Sequence, residues 1–172
     1  MGLLDWLGGN QEHASTDQGD IETVRRIAGE LDALPADRAR YVACFAYILG
    51  RVAHADLDVS DEEIAAMESI VAERADLPVA QAALVVQIAK QRNELFGGTD
   101  NFLVTRTFAE MADQDAKRAL LDCLYAVSAA DNSISAEEDQ EIRRITGEIN
   151  LGHDEFIRAR AKYVDQLSVM QD

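Results

Sequence analysis

The sequence predicts an all-α protein, a single compact bundle of seven to eight helices, and three features carry that expectation. Only two prolines, Pro35 and Pro78, and ten glycines occur in 172 residues, so long stretches run without a helix breaker. Those stretches are rich in Ala, Leu, Glu, Arg and Ile, the residues that lose least conformational freedom on entering a helix. Within them apolar residues recur at steps of three and four. The length suits one domain, and a 48% hydrophobic content is enough to build its core.

The elements follow in order. Residues 1–19 read as a flexible N-terminal arm, because the stretch from Gly8 to Asp20 offers almost nothing to bury. The all-helical domain spans residues 20–172. Ile21, Val24, Ile27, Ala28, Leu31 and Leu34 form the stripe of a first helix, which Pro35 stops. A second helix covers about residues 36–55. Its stripe of Tyr41, Val42, Phe45, Ile48, Leu49 and Val52 is wide enough for a central, buried element. Ile64, Met67, Ile70 and Val71 mark a third helix, ending near Ala75. Asp76 and Pro78 open a fourth, with Leu84, Val85, Ile88 and Ala89 inward, which fades at Gly97-Gly98. A shorter fifth runs over residues 100–111. The sixth, about residues 115–130, carries Leu120, Leu121, Leu124 and Val127, and the seventh covers residues 135–149. The last, with Phe156, Ile157, Ala161, Val164 and Leu167, begins after Gly152 and closes the domain.

An internal repeat is the strongest signal in the chain. Shifted by 75 residues, the segment from Val52 to Glu63 aligns with that from Val127 to Glu138 and is identical at six of twelve positions. The matched pairs are Val52/Val127, Ala55/Ala130, Asp56/Asp131, Ser60/Ser135, Glu62/Glu137 and Glu63/Glu138. The unit is a helix, an acidic loop and a helix, used twice as a pseudo-twofold pair. Ser60 with Glu63, and Ser135 with Glu138, fit the capping box, in which serine accepts from the third helical amide and glutamate reaches back to the cap amide. Capping accounts for those four residues without any ligand. It leaves Asp56 and Asp131 unexplained.

Those aspartates open a second reading. Asp56, Asp58 and Glu63 on one loop, with Asp131 and Glu138 on the other, gather hard oxygen donors suited to Ca²⁺ or Mg²⁺. The spacing is not that of an EF-hand. Counting from Asp56 puts Asp61 where the loop glycine belongs and Met67 where the bidentate glutamate belongs, and counting from Asp131 gives Ala136 and Ile142. An ion of this kind would need both loops to converge. The same carboxylates would equally suit a basic segment of a partner.

The doubled Ala-Asp-x-x-[Val/Ile]-Ser-x-Glu-Glu loop, each copy between amphipathic helices, resembles the TerB-like family of tellurite-resistance proteins over about residues 36–164. Members of that family typically carry glycine after the aspartate, where this chain has Leu57 and Asn132. The resemblance implies a compact helical domain that is not an enzyme and serves the response to tellurite and other chemical stress. It also implies work at the inner face of the membrane beside integral-membrane and calcium-binding partners, with the acidic loop residues as metal ligands.

Other functions find little in the sequence. Thirty-two acidic against sixteen basic residues give a net charge of −16, which repels nucleic acid. Cys44 and Cys123 sit in apolar helical runs and make no disulfide framework, which points to a reducing, cytoplasmic setting. No apolar run reaches the length of a membrane span. His13, His54 and His153 lack zinc spacing, and Gly97-Gly98 lacks the lysine of a phosphate-binding loop. Leu3, Leu4, Trp6 and Leu7 form an apolar patch on the arm, expected to contact a partner or fold back onto the domain ahead of meeting a membrane interface or staying disordered, since it carries no basic residue. The alternative to the cation-binding stress module is thus a protein-interaction scaffold acting through that arm or a helical groove.

Overall fold

A computed structural model describes residues 18–52, 61–90 and 101–170. Among them are eight α-helices and no strand. They are α1 (Gln18–Asp32), α2 (Ala36–Val52), α3 (Asp61–Arg74), α4 (Val79–Lys90), α5 (Asn101–Met111), α6 (Gln114–Ser128), α7 (Ala136–Glu148) and α8 (His153–Ala161). Short 3₁₀ turns follow α6 at Ala129–Asp131 and α8 at Val164–Gln166 and Ser168–Met170. The all-helical expectation holds, and several boundaries have a local cause. Pro35 and Pro78 stand just before α2 and α4, and Asp113 caps α6 by accepting from the Ala116 amide at 2.8 Å.

The wide stripe on α2 does mark the centre of the molecule. Every residue from Val42 to Val52 is buried, and α4, α5, α7, α6 and α1 all pack around this helix. The inward residues expected on α4, Leu84, Val85, Ile88 and Ala89, are buried as well. The last helix departs from expectation. It ends at Ala161, and its core contacts come from Phe156 and Ala159, one turn apart, so Ile157 is 48% and Val164 40% exposed, and Ala161 is exposed too. Ile157 and Ala161 thus lie on the outer face of α8, and exposed Val164 lies beyond it, in the next 3₁₀ turn.

The repeat is present in three dimensions and runs further than its sequence identity. Helices α3 and α7 begin at Asp61 and Ala136, 75 residues apart, as the alignment requires. Each then ends in the same left-handed turn. Asp76 has φ 52° and Asn150 φ 60°, and the amides of Leu77 and Leu151 bond back to Ala72 and Thr146 at 3.2 and 3.0 Å. This is the six-to-one bond of a helix closed by a left-handed residue, and in both copies the following leucine is buried. Since α7 is one residue shorter than α3, α4 and α8 start 74 residues apart instead of 75. Packing between the halves is reciprocal, with α3 of the first half on α6 of the second and α7 of the second on α2 of the first. A pseudo-twofold relation produces that exchange.

Candidate functional site

The second acidic corner is built by its own backbone. Helix α6 tightens through the 3₁₀ turn Ala129–Asp131, and Asn132 then takes a left-handed conformation, φ 66° and ψ 18°, which asparagine tolerates and which reverses the chain. Asp131 Oδ1 accepts from the Ser133 amide at 3.0 Å, closing the bend. That bond is the role that capping alone did not give to Asp131. Next, Ile134 is fully buried and is held like a single rung of sheet. Its amide donates to the Gln166 carbonyl at 2.7 Å, and its carbonyl accepts from the Ser168 amide at 2.9 Å.

The capping box follows as the sequence predicts. The Glu138 amide donates to Ser135 Oγ at 3.1 Å, while the Ser135 amide donates to Glu138 Oε2 at 2.7 Å. Glu137, Glu138 and Asp139 place negative charge at the amino end of α7, where the helix dipole favours it. Asp131, Asn132, Ser133 and Glu137 are exposed, so the corner presents an acidic edge resting on a buried isoleucine. Asp131 and Glu138 each commit one carboxylate oxygen to the loop.

In the first copy, Asp56 and Asp58 lie outside the described residues, as does Ser60. Glu63 is described and stands exposed in the acidic first turn of α3, beside Asp61 and Glu62. Leu3, Leu4, Trp6 and Leu7 also lie outside the described residues. Among the described residues no group of three or more His, Cys, Asp or Glu side chains is arranged to hold a metal ion.

Sequence reasoning passed over a polar anchor near the end of α2. Arg51, one residue from the end of α2, has a side chain only 2% exposed. Its guanidinium meets Glu141 at 2.5 Å and Glu148 at 2.7 Å, both on α7. Thr105 Oγ1 of α5 donates to Glu148 Oε2 at 2.8 Å, and exposed Arg144 pairs with Glu141 at 2.9 Å. Burial pushes the Glu148 carboxyl up. The hydrogen bonds from Arg51 and Thr105 and the charges of Arg51 and Arg144 outweigh that, holding it below the usual carboxylate range. A signal was there: an arginine inside a helix expected to be buried all round requires carboxylate partners. Glu141 and Glu148, seven residues apart and so on one face of α7, supply them.

A second network secures the other half. Buried Tyr125 donates its hydroxyl to Asp139 Oδ1 at 2.8 Å, and Arg160 of α8 grips the same carboxylate at 3.0 and 3.1 Å. Tyr163 stacks on Tyr125 with ring centroids 5.5 Å apart. Both cysteines are free and buried, and burial pushes each thiol up to about 12, far from the thiolate a nucleophile needs.

Against known protein families, the family model described as tellurite resistance protein TerB matches residues 42–161. No curated protein and no solved structure matches the chain. The matched span opens in α2, closes at the end of α8 and takes in both acidic corners.

Proposed function

Because the chain belongs to the TerB family, we propose that it is a non-enzymatic binding module of the cell's response to tellurite and related chemical stress. Its acidic corners take a divalent cation or a basic segment of a partner protein, in the cytoplasm or against the inner face of the membrane. The observation that carries this reading is the doubled corner, whose described copy holds Asp131 and Glu137 at the surface on a framework fixed by capping and by the rung at Ile134. Rigid placement of charge is what a recognition edge requires.

The two ligand classes ask different things of the corner. Ca²⁺ takes six to eight oxygens. With one oxygen each of Asp131 and Glu138 committed to the loop, the described corner falls short of such a shell. A cation therefore needs Asp56 and Asp58 to bring donors to the same point. A basic segment needs only separate exposed carboxylates, which one corner already provides. No helix among the described residues is long and apolar enough to cross a membrane, so a membrane role would run through a partner.

Titration of the whole chain with Ca²⁺ or Mg²⁺, followed by amide NMR, tests the cation. The reading expects the amides around Asp56 and Asp131 to move together along one saturation curve. Resonances that stay fixed at millimolar ion remove the cation and leave the basic segment.

A further inference from the structure

The second corner is not acidic alone, because the 3₁₀ turns after α8 are fastened to it. Ile134 and Leu167 pair in parallel as a single rung, and both are buried. On either side of Leu167 the chain stays out in solvent, with Val164 40%, Val169 56% and Met170 59% exposed. The two stretches run in the same direction through the rung. Val164 and Asp165 therefore precede it as Asp131 does, and Val169 and Met170 follow it as Glu137 does. Three apolar side chains and the exposed carboxylates Asp131, Glu137 and Asp165 are thus gathered at one edge. Among the described residues Asp131 and Glu137 make no ion pair. The cations at the end of α8 are already engaged, Arg160 with Asp139 at 3.0 Å and Lys162 with Asp122 at 3.1 Å. The negative charge of the edge is left for a ligand to meet.

That charge selects the occupant. A second copy of this chain would set carboxylate against carboxylate across a twofold contact, and an anionic membrane surface would be repelled. A purely basic segment gains little, since exposed ion pairs are weak and screened by salt. Affinity comes from apolar surface taken out of water, while charge steers the approach and fixes the orientation. We propose that the basic segment taken by this corner is amphipathic. Its cations face Asp131, Glu137 and Asp165, and its apolar side covers Val164, Val169 and Met170. The inference rests on the basic-segment reading above and adds the turns after α8 to the site.

Two short fluorescein-labelled peptides test this, one alternating lysine and leucine at helical spacing, the other with serine in every leucine place and so equal in charge. Anisotropy gives the affinity of each for the full chain, and amide NMR shows where each lands. We expect the lysine–leucine peptide to bind about tenfold more tightly and to move the amides of residues 131–137 and 164–170 together. Val169→Ser with Met170→Ser, two substitutions at exposed sites, removes that advantage and leaves the lysine–serine peptide unchanged, while Glu137→Gln weakens both. Equal affinities for the two peptides, or an advantage that survives the serine substitutions, overturn the inference and keep a basic segment at the corner. Corner amides that neither peptide moves overturn it together with the basic segment itself. Corner amides that shift when the protein alone is concentrated overturn it in favour of a second copy.

Discussion

Helices α3 and α7 are the same element by sequence, yet they lead different lives in the fold. Both follow a serine cap motif, both open with acidic residues, and both close in a left-handed residue followed by a buried leucine. On α7, Ile142 and Ile145 are fully buried, but their counterparts Met67 and Ile70 on α3 are only partly so. The neighbours decide this. Helix α7 lies among α2, α5, α6 and α8 and receives the buried guanidinium of Arg51, whereas α3 rests mainly on α4 and α6. A duplicated sequence therefore repeats corners, caps and turns, which are local, while burial is set by what each copy packs against.

The difference can be measured. Ile145→Ala removes side-chain volume from a closed site and is expected to cost about 4 kcal/mol, while Ile70→Ala, at a half-open one, costs about 2 kcal/mol. Urea unfolding of the two variants gives both figures, and equal losses would erase the asymmetry. Arg51→Met is next in size, at about 3 kcal/mol near neutral pH, because it takes the buried cation from Glu141 and Glu148 and leaves them only exposed Arg144 and the Thr105 hydroxyl. Its pH dependence has a definite sign. Since the folded protein holds Glu148 below its ordinary value, the stability that this carboxylate contributes is present at neutral pH and is lost as acid protonates it. Without the arginine, burial dominates and pushes the same carboxyl up. The gap between Arg51→Met and the parent should therefore narrow from about pH 7 to about pH 3, and a gap constant over that range would remove Arg51 from the account.

What was legible in the sequence divides along the same line. Helix existence, the prolines at helix starts, the central place of α2 and the cap from Ser135 to Glu138 could all be read, because each rests on periodicity or on residues within four positions of one another. The left-handed turns at Asp76 and Asn150 went unread, since the register changes by one residue there and the identity fades. The last helix stops at Ala161, short of Val164 and Leu167, and which of its apolar residues face inward is chosen by its neighbours, which bury Phe156 and Ala159 and leave Ile157 exposed. Arg51 joins Glu141 and Glu148 across some ninety residues of chain, and no local pattern names that partner. Asp131 stood out as a candidate ligand, and its carboxylate also closes the bend on the Ser133 amide.

The central claim is that both acidic corners are secured alike, each by a serine and a glutamate three residues on. The most direct measurement compares the unfolding free energy lost by Ser60→Ala with that lost by Ser135→Ala in the full chain. The account predicts losses of about 1 kcal/mol each, equal to within about 0.5 kcal/mol. A Ser60→Ala variant as stable as the parent, beside a Ser135→Ala variant that loses the full amount, would contradict it.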